Sequence, residues 1–237
     1  MKFLLDTHCH TVASGHAYSI ISEYVSEAQK KNLKLIAITD HAPKMPGSCQ
    51  EFYFGNLKCL PHKFDDLEVL YGAELNIIDY DGAVDLPEET LQKLDLAIAS
   101  LHPPCITPLP DNTELIMKVM ENSYVNVFGH LGDPRFLFDI ERVVQHAKKT
   151  GTIIEINNSS LNPNSTRFGG KKLIEEIIRE CQKINLPIIL GSDAHFHLDV
   201  ANFNYVAELV KDLPDELILN TSVEKFKAAI AKKKFLQ

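Results

Sequence analysis

Seven short apolar runs punctuate the chain: residues 2–6 (KFLLD), 34–39 (KLIAIT), 68–74 (EVLYGAE), 94–100 (LDLAIAS), 125–129 (VNVFG), 152–157 (TIIEIN) and 187–192 (PIILGS). Each is nearly continuously apolar instead of alternating, as strands buried on both faces should be. Between them the period turns helical. Ser19 or Ser22 can cap a helix running to Asn32, with Tyr24, Val25 and Ala28 on its inner face. Asp139 can cap a second, whose stripe is Val143, Val144 and Ala147 and whose stop is Gly151. Residues 171–185 carry Leu173, Ile174, Ile177, Ile178, Cys181 and Ile184 at helical spacing, and 112–122, 199–211 and 222–233 read the same way. Residues 42–62, with Pro43, Pro46, Gly47 and Pro61, predict a loop. NIIDYDGAVDL predicts a hairpin turning at Asp81-Gly82, followed by a short helix.

The runs end about every 27–35 residues, close to the roughly 31 residues per unit of a (β/α)8 barrel. Seven units are counted, so the expectation is α/β, a distorted TIM-like (β/α)7 barrel forming a single domain over residues 1–237. A doubly wound open sheet gives the same alternation and is the rival on periodicity alone.

Composition narrows the function classes. Hydrophobic residues are 45% and charged residues 24% of 237, enough for a sizeable core. Lys and Arg number 24 against 32 Asp and Glu, a net −8, which disfavours nucleic-acid binding through a cationic surface. The one basic tract, Lys232-Lys233-Lys234, reads as a solvated helix end. Five cysteines without a C-x-x-C pair indicate neither a disulfide framework nor a zinc knuckle. With no secretory signal and no run long enough for a membrane span, the chain is expected to be cytoplasmic and free of membrane. A homo-oligomer is left open.

Candidate chemistry gathers where the runs end: LLDTHCH, AITDH, YGAE, IASLH, VFGH, EINNSS and LGSDAH. All but the sixth end in a histidine or carboxylate, and seven of the ten histidines lie there, leaving His62, His146 and His197; the first two read as surface residues. In parallel α/β folds these ends converge on one rim. Residues i and i+2 of a strand share a face, so His8 and His10 point one way and Cys9 the other, and Asp193 and His195 repeat the spacing. His16 follows an Ala13-Ser14-Gly15 turn that can fold it over the rim. A nitrogen and oxygen donor set suits Zn²⁺, Mn²⁺ or Fe²⁺. Nine candidates exceed what one or two ions need, and three ions sharing a carboxylate fit that count.

These residues resemble the PHP (polymerase and histidinol phosphatase) family, in particular its small stand-alone phosphatases of the YcdX type. DTHCHTVASGHAYS, AITDHAP, GAELN, ASLHPP, GHLGDPR, EINNSS and LGSDAH fall in family-like order along nearly the whole chain, while 42–62 shows little likeness. The resemblance implies the seven-unit barrel and a trinuclear centre. His8 and His10 would bind one ion with Glu74 and Asp193; Glu74 would bridge to a second held by His102 and His130; His16, His41 and His195 would hold the third. It further implies hydrolysis of a small phosphate monoester by a metal-bridging hydroxide, with Glu74, Asp193 and His195 nearest the chemistry. Three divalent ions, zinc first and manganese or iron as alternates, would let an acidic protein hold an acidic substrate.

Around them, Asp6 is expected to orient a ligand imidazole, and Asp40 to do so for His41 or to cap a turn. Arg135 and Arg167 are candidate phosphate clamps. Asn157, Asn158 and Ser159 line the pocket or satisfy loop backbone. The alternatives are a PHP-type nuclease or phosphodiesterase, an amidohydrolase-type hydrolase, and a metal-binding module without turnover.

Overall fold

All seven runs become parallel strands, and an eighth strand of two residues pairs antiparallel with the start of the third of them. In the protein's structure, a computed structural model that describes residues 1–233, the strands are β1 (Leu5–Cys9), β2 (Leu35–Ile38), β3 (Lys63–Phe64), β4 (Leu67–Asn76), β5 (Leu96–Ser100), β6 (Val127–Phe128), β7 (Ile153–Asn157) and β8 (Ile188–Gly191). The sheet order is β1-β2-β4-β5-β6-β7-β8, every pair parallel, with β3 antiparallel to β4. The helices are α1 (Ile21–Lys30), α2 (Glu51–Asn56), α3 (Glu88–Leu91), α4 (Thr113–Glu121), α5 (Ile140–Thr150), α6 (Lys171–Lys183), α7 (Ala207–Val210) and α8 (Val223–Lys233). No helix among the described residues is long and apolar enough to cross a membrane.

The sheet nearly closes into a barrel, and the seam between β8 and β1 is sealed at both ends. At the top, Cys9 and Ala194 form a parallel bridge, His10 N–H donating to Ala194 O (2.8 Å). At the bottom, Asn220 stands in for a missing strand. Its Nδ2 donates to Leu5 O (3.1 Å) and Leu190 O (2.8 Å), and its Oδ1 accepts from Leu190 N–H (2.7 Å). Backbone groups that would otherwise be buried without partners are thereby satisfied.

Alternation along the strands sorts side chains into two cores. Leu5, Leu35, Leu70, Leu96, Val127, Ile153 and Ile189 point into the barrel, where Phe226 of α8 plugs the lower end. Ile36, Ile38, Val69, Leu75, Ile154 and Leu190 point outward under the helices. Continuing the inward parity two residues at a time leads from Leu70 to Glu74, from Leu96 towards His102, and from Ile189 to Asp193. The apolar floor and the polar rim are the two ends of the same inward rows.

Several expectations are corrected. Neither Ser19 nor Ser22 caps α1: Ile20 precedes it, Glu23 Oε2 accepts the Ile20 N–H (2.8 Å), and Ser19 Oγ is engaged by His197. The 42–62 connection holds α2, which forms because Phe54 packs into the outer core. Segment 199–211 is helical only over Ala207–Val210. Its earlier amides are taken by side chains, Ala201 N–H by Asp6 (2.7 Å) and Tyr205 and Val206 N–H by Asn158 Oδ1 (2.9 and 3.2 Å), which leaves nothing for a helical ladder. The hairpin expected near Asp81-Gly82 is present as an antiparallel Ile77–Val84 bridge, with Gly82 at φ 88°. The His146 ring, expected at the surface, is only 10% exposed.

Within the basic tract, the expected solvated end is corrected at Lys233. Lys234 lies outside the described residues, but Lys233 is buried, donating from Nζ to Met120 O (2.6 Å) and to Thr152 Oγ1. Burial pushes its ammonium down to about 7. Above that pH the folded protein has released a proton that the unfolded chain keeps to about 10.4, so stability rises with pH. Between pH 7 and 9 urea denaturation should show a gain on the order of 1–2 kcal/mol from this group. Lys233→Met should abolish that gain; an unchanged pH profile in the variant would assign it elsewhere.

Candidate metal centre

One carboxylate stands at the centre of the rim. Glu74, fully buried near the end of β4, has Oε1 2.9 Å from His130 Nε2, 3.3 Å from His102 Nε2 and 3.4 Å from His8 Nε2. Its Oε2 is 2.7 Å from His41 Nδ1 and 3.5 Å from His10 Nε2. Asp193 closes the other side, with Oδ1 3.3 Å from His10 Nε2, 3.8 Å from His8 Nε2 and 3.5 Å from His195 Nδ1. His16 arrives from the exposed turn after β1, its ring 4.9 Å from His41 and 5.0 Å from His195 between centroids. All nine residues expected at a metal site are therefore brought together.

The β1 ligands owe their direction to a bulge. Pairing of β1 with β2 slips between Asp6 and Cys9, so the parity of the strand changes there. Cys9 faces the outer core, as expected, and His8 and His10 face the centre. Asp6 falls on the far side of the slip and does not touch a ligand imidazole. Its carboxylate accepts from Ser192 N–H (3.2 Å), Ser192 Oγ (2.5 Å) and Ala201 N–H (2.7 Å), fastening the loop after β8. Gly15, at φ 79°, permits the turn that returns His16, and a side chain there would overlap the Gly47 carbonyl. His130 and Asp193 have φ of 28° and 57°, conformations that non-glycine residues adopt chiefly under external constraint.

Four imidazoles have their proton placed by an acceptor behind them. His8 Nδ1 donates to Glu155 Oε1 (2.7 Å) and His195 Nδ1 to Asp193 O (3.0 Å). His102 Nδ1 donates to Asn76 Oδ1 (2.8 Å), whose amide nitrogen is spent on Ala42 O and Asp85 Oδ2. Ser14 Oγ donates to Asp40 Oδ1 (2.7 Å) and so accepts from His10 Nδ1 (3.1 Å) and from His41 N–H (3.0 Å). Asp40 thus acts on both imidazole residues through Ser14. In the rings of His8, His10 and His102 the nitrogen this leaves for a metal ion is Nε2, which faces Glu74.

Sequence reasoning missed Glu155. The run TIIEIN has no ligand, yet Glu155 points inward with Asn157, buried beneath the rim. A lone carboxylate in an otherwise apolar strand, two residues before an inward asparagine, was the available signal. Asn157 donates to Glu155 Oε2 (3.0 Å) and to Asp193 Oδ2 (3.4 Å), while its Oδ1 accepts from Ser160 N–H (3.1 Å). Asn158 and Ser159 line a polar cavity of about 140 Å³ that also touches Asp193. Arg167 reaches the centre, its Nη2 on Asp193 Oδ2 and its Nε on Ser160 Oγ (3.1 Å). Arg135 is gripped by Asp133 through Nε (2.9 Å) and Nη2 (2.6 Å).

Charge in the cluster is strongly coupled. Burial alone would raise the Glu74 carboxyl, but His41, His102 and His8 hold it well below the usual range. Burial likewise opposes ionisation of Asp193, and Arg167 and His8 overcome it. Burial disfavours a protonated His8, yet Glu155, Glu74 and Asp193 raise it well above an ordinary histidine. His10 is lowered well below, by burial and by His41 and His195.

The donor atoms fit divalent metal ions. His8 Nε2, His10 Nε2, His41 Nδ1 and Glu74 Oε2 are buried without a hydrogen-bond partner, an arrangement that is expensive unless a cation meets them. Tetrahedral zinc with bonds of about 2.0–2.1 Å sets its ligand atoms about 3.4 Å apart, and most separations around Glu74 and Asp193 match that edge. Compact donor groups form at His8, His10 and Asp193, at His41, Glu74 and His102, and at His10, His41 and His195.

Residues 6–159 match the PHP domain family. Over 238 residues the chain is 45% identical to a protein of Acetivibrio thermocellus named probable phosphatase, covering 99% of this chain and 98% of that one. It is 46% identical over 239 residues to a probable phosphatase of Caldanaerobacter subterraneus subsp. tengcongensis, covering 99% and 93%. Among solved structures, the histidinol phosphate phosphatase of Lactococcus lactis, complexed with zinc, L-histidinol and phosphate, superposes with a TM-score of 0.61 at 20% identity, over 87% of this chain and 92% of that one. At that identity the likeness speaks for the fold.

Proposed function

This chain belongs to the PHP family, and from that premise we propose that it is a phosphatase hydrolysing monoesters of small phosphorylated molecules with three divalent transition-metal ions. Zinc is the first choice, with manganese or iron as alternates. The observation that carries the reading is the set of buried, partnerless donor atoms arranged around Glu74. His8, His10, Glu74 and Asp193 would hold one ion, Glu74, His102 and His130 a second, and His16, His41 and His195 the third.

Bound divalent ions would supply Lewis acidity towards the phosphoryl oxygens and lower the pKa of a water ligand from 15.7 to about 7. The chain's own residues do the rest. Glu74 and Asp193, held ionised, keep the centre in its ligand form, and Ser14, Asn76 and Glu155 keep three imidazoles turned inward. Arg167 is the better placed phosphate clamp because it is paired with Asp193 inside the centre, whereas Arg135 is paired with Asp133 outside it. The apolar side chains Tyr18, Phe168 and Phe196 are exposed on the loops after β1, β7 and β8, which suits a small organic ester more than a polyanion.

Purified protein should carry more than two transition-metal equivalents. Chelation should lower turnover of a phosphate monoester by about 100-fold or more, restored by zinc or manganese. Full activity in metal-free protein would overturn the reading. In a panel of monoesters, diesters and amides, preference for diesters would favour the nuclease alternative, and no turnover at all would favour a metal-binding module.

A further inference from the structure

We propose that Glu155, on the one parallel strand that supplies no ligand, is a positioning residue that sets the tautomer of His8 and so decides whether the first metal position has its ligand. The inference rests on the metal reading above. Among the described residues, Glu155 Oε1 accepts only from His8 Nδ1 (2.7 Å), whereas Oε2 accepts from His130 N–H (2.7 Å) and from Asn157 Nδ2 (3.0 Å). One carboxylate therefore fixes a ligand ring and the backbone of a second ligand held at φ 28°. The barrel makes room for it: a Cβ at Gly191, the inward position of β8, would overlap Glu155 Oε1. Gly191 is thus a glycine because the carboxylate occupies its side-chain space.

Glutamine separates shape from chemistry at this position. It keeps the volume but has one acceptor, and the two donors at His130 and Asn157 hold that oxygen at the Oε2 place. Its amide NH₂ then faces His8 Nδ1, which must accept, so the ring proton moves to Nε2. That is the atom aimed at Glu74 and Asp193. A ring protonated on Nε2 has no lone pair there for a metal.

The test measures metal retention, not turnover. In Glu155→Gln loaded with zinc, one metal equivalent should be lost to a chromogenic chelator about 10–100-fold faster than in the wild type, with the remaining zinc retained. Unchanged kinetics for every equivalent would overturn the proposal, as would a variant whose metal-free form melts lower while its zinc is held normally, since that is a purely structural role. Wild-type protein gives a reading that needs no variant to fold. Nitrogen NMR of the zinc-loaded chain should show the His8 proton on Nδ1, and a proton on Nε2 would overturn the assignment. A wild type that retains no zinc at all would instead sink the metal reading, so the two failures are distinguishable.

Discussion

Glu74→Gln is expected to lower kcat/KM for a phosphate monoester by about 1,000-fold or more, roughly 4 kcal/mol of transition-state stabilisation. Five candidate ligands lie within 3.5 Å of its carboxylate. One of its oxygens faces His8, His102 and His130 and the other faces His10 and His41. The amide preserves the volume but removes the negative charge, and it turns one acceptor into a donor aimed at ring nitrogens. Ions that share this carboxylate lose it together, so metal analysis should show a loss of more than one equivalent. Circular dichroism should stay close to wild type, because the barrel floor and the outer core lie on other residues. Wild-type metal content with lost activity would make Glu74 a participant in the reaction but not a ligand. Unchanged activity would remove it from the site.

The rim was legible because strand parity is a local property. Seven apolar runs that alternate inward and outward as strands bring the histidines and carboxylates at their ends together, whatever the exact closure. What escaped reading depended on long-range partners. The slip in β1 reverses Asp6, and nothing in LLDTHCH announces it; Asp6 is spent on residues 192 and 201, almost a chain length away. Glu155 sits in an otherwise apolar run, and its partners His8 and His130 come from other strands. Lys233 looked like surface because it sits among lysines, and only the fold brings Met120 and Thr152 to it. Residues 199–211 carry helical spacing, but Asp6 and Asn158 compete for the same amides and win. In each case the outcome is decided by a partner distant along the chain, which the local pattern does not show.

Asp40→Ala is expected to destabilise the metal-free protein by about 3–5 kcal/mol and to weaken metal retention, while Asp40→Asn stays within about 1 kcal/mol of wild type. The contrast follows from what the carboxylate receives. Oδ1 accepts from Thr11 N–H (2.6 Å) and Ser14 Oγ (2.7 Å); Oδ2 accepts from the hydroxyls of Thr11 (2.8 Å) and Tyr53 (2.7 Å). Alanine leaves all four buried or half-buried donors without an acceptor, and it frees Ser14 from the orientation that fixes His10 and the His41 backbone. Asparagine can place its oxygen at Oδ1 and its NH₂ at Oδ2, because both hydroxyls there can rotate from donating to accepting. Ser14 then still donates forward and still accepts from His10, so the imidazole keeps its inward lone pair. Urea denaturation of metal-free protein and metal analysis of loaded protein check both variants. If Asp40→Asn proves as damaging as Asp40→Ala, the negative charge of Asp40 governs the site and the acceptor geometry traced through Ser14 does not.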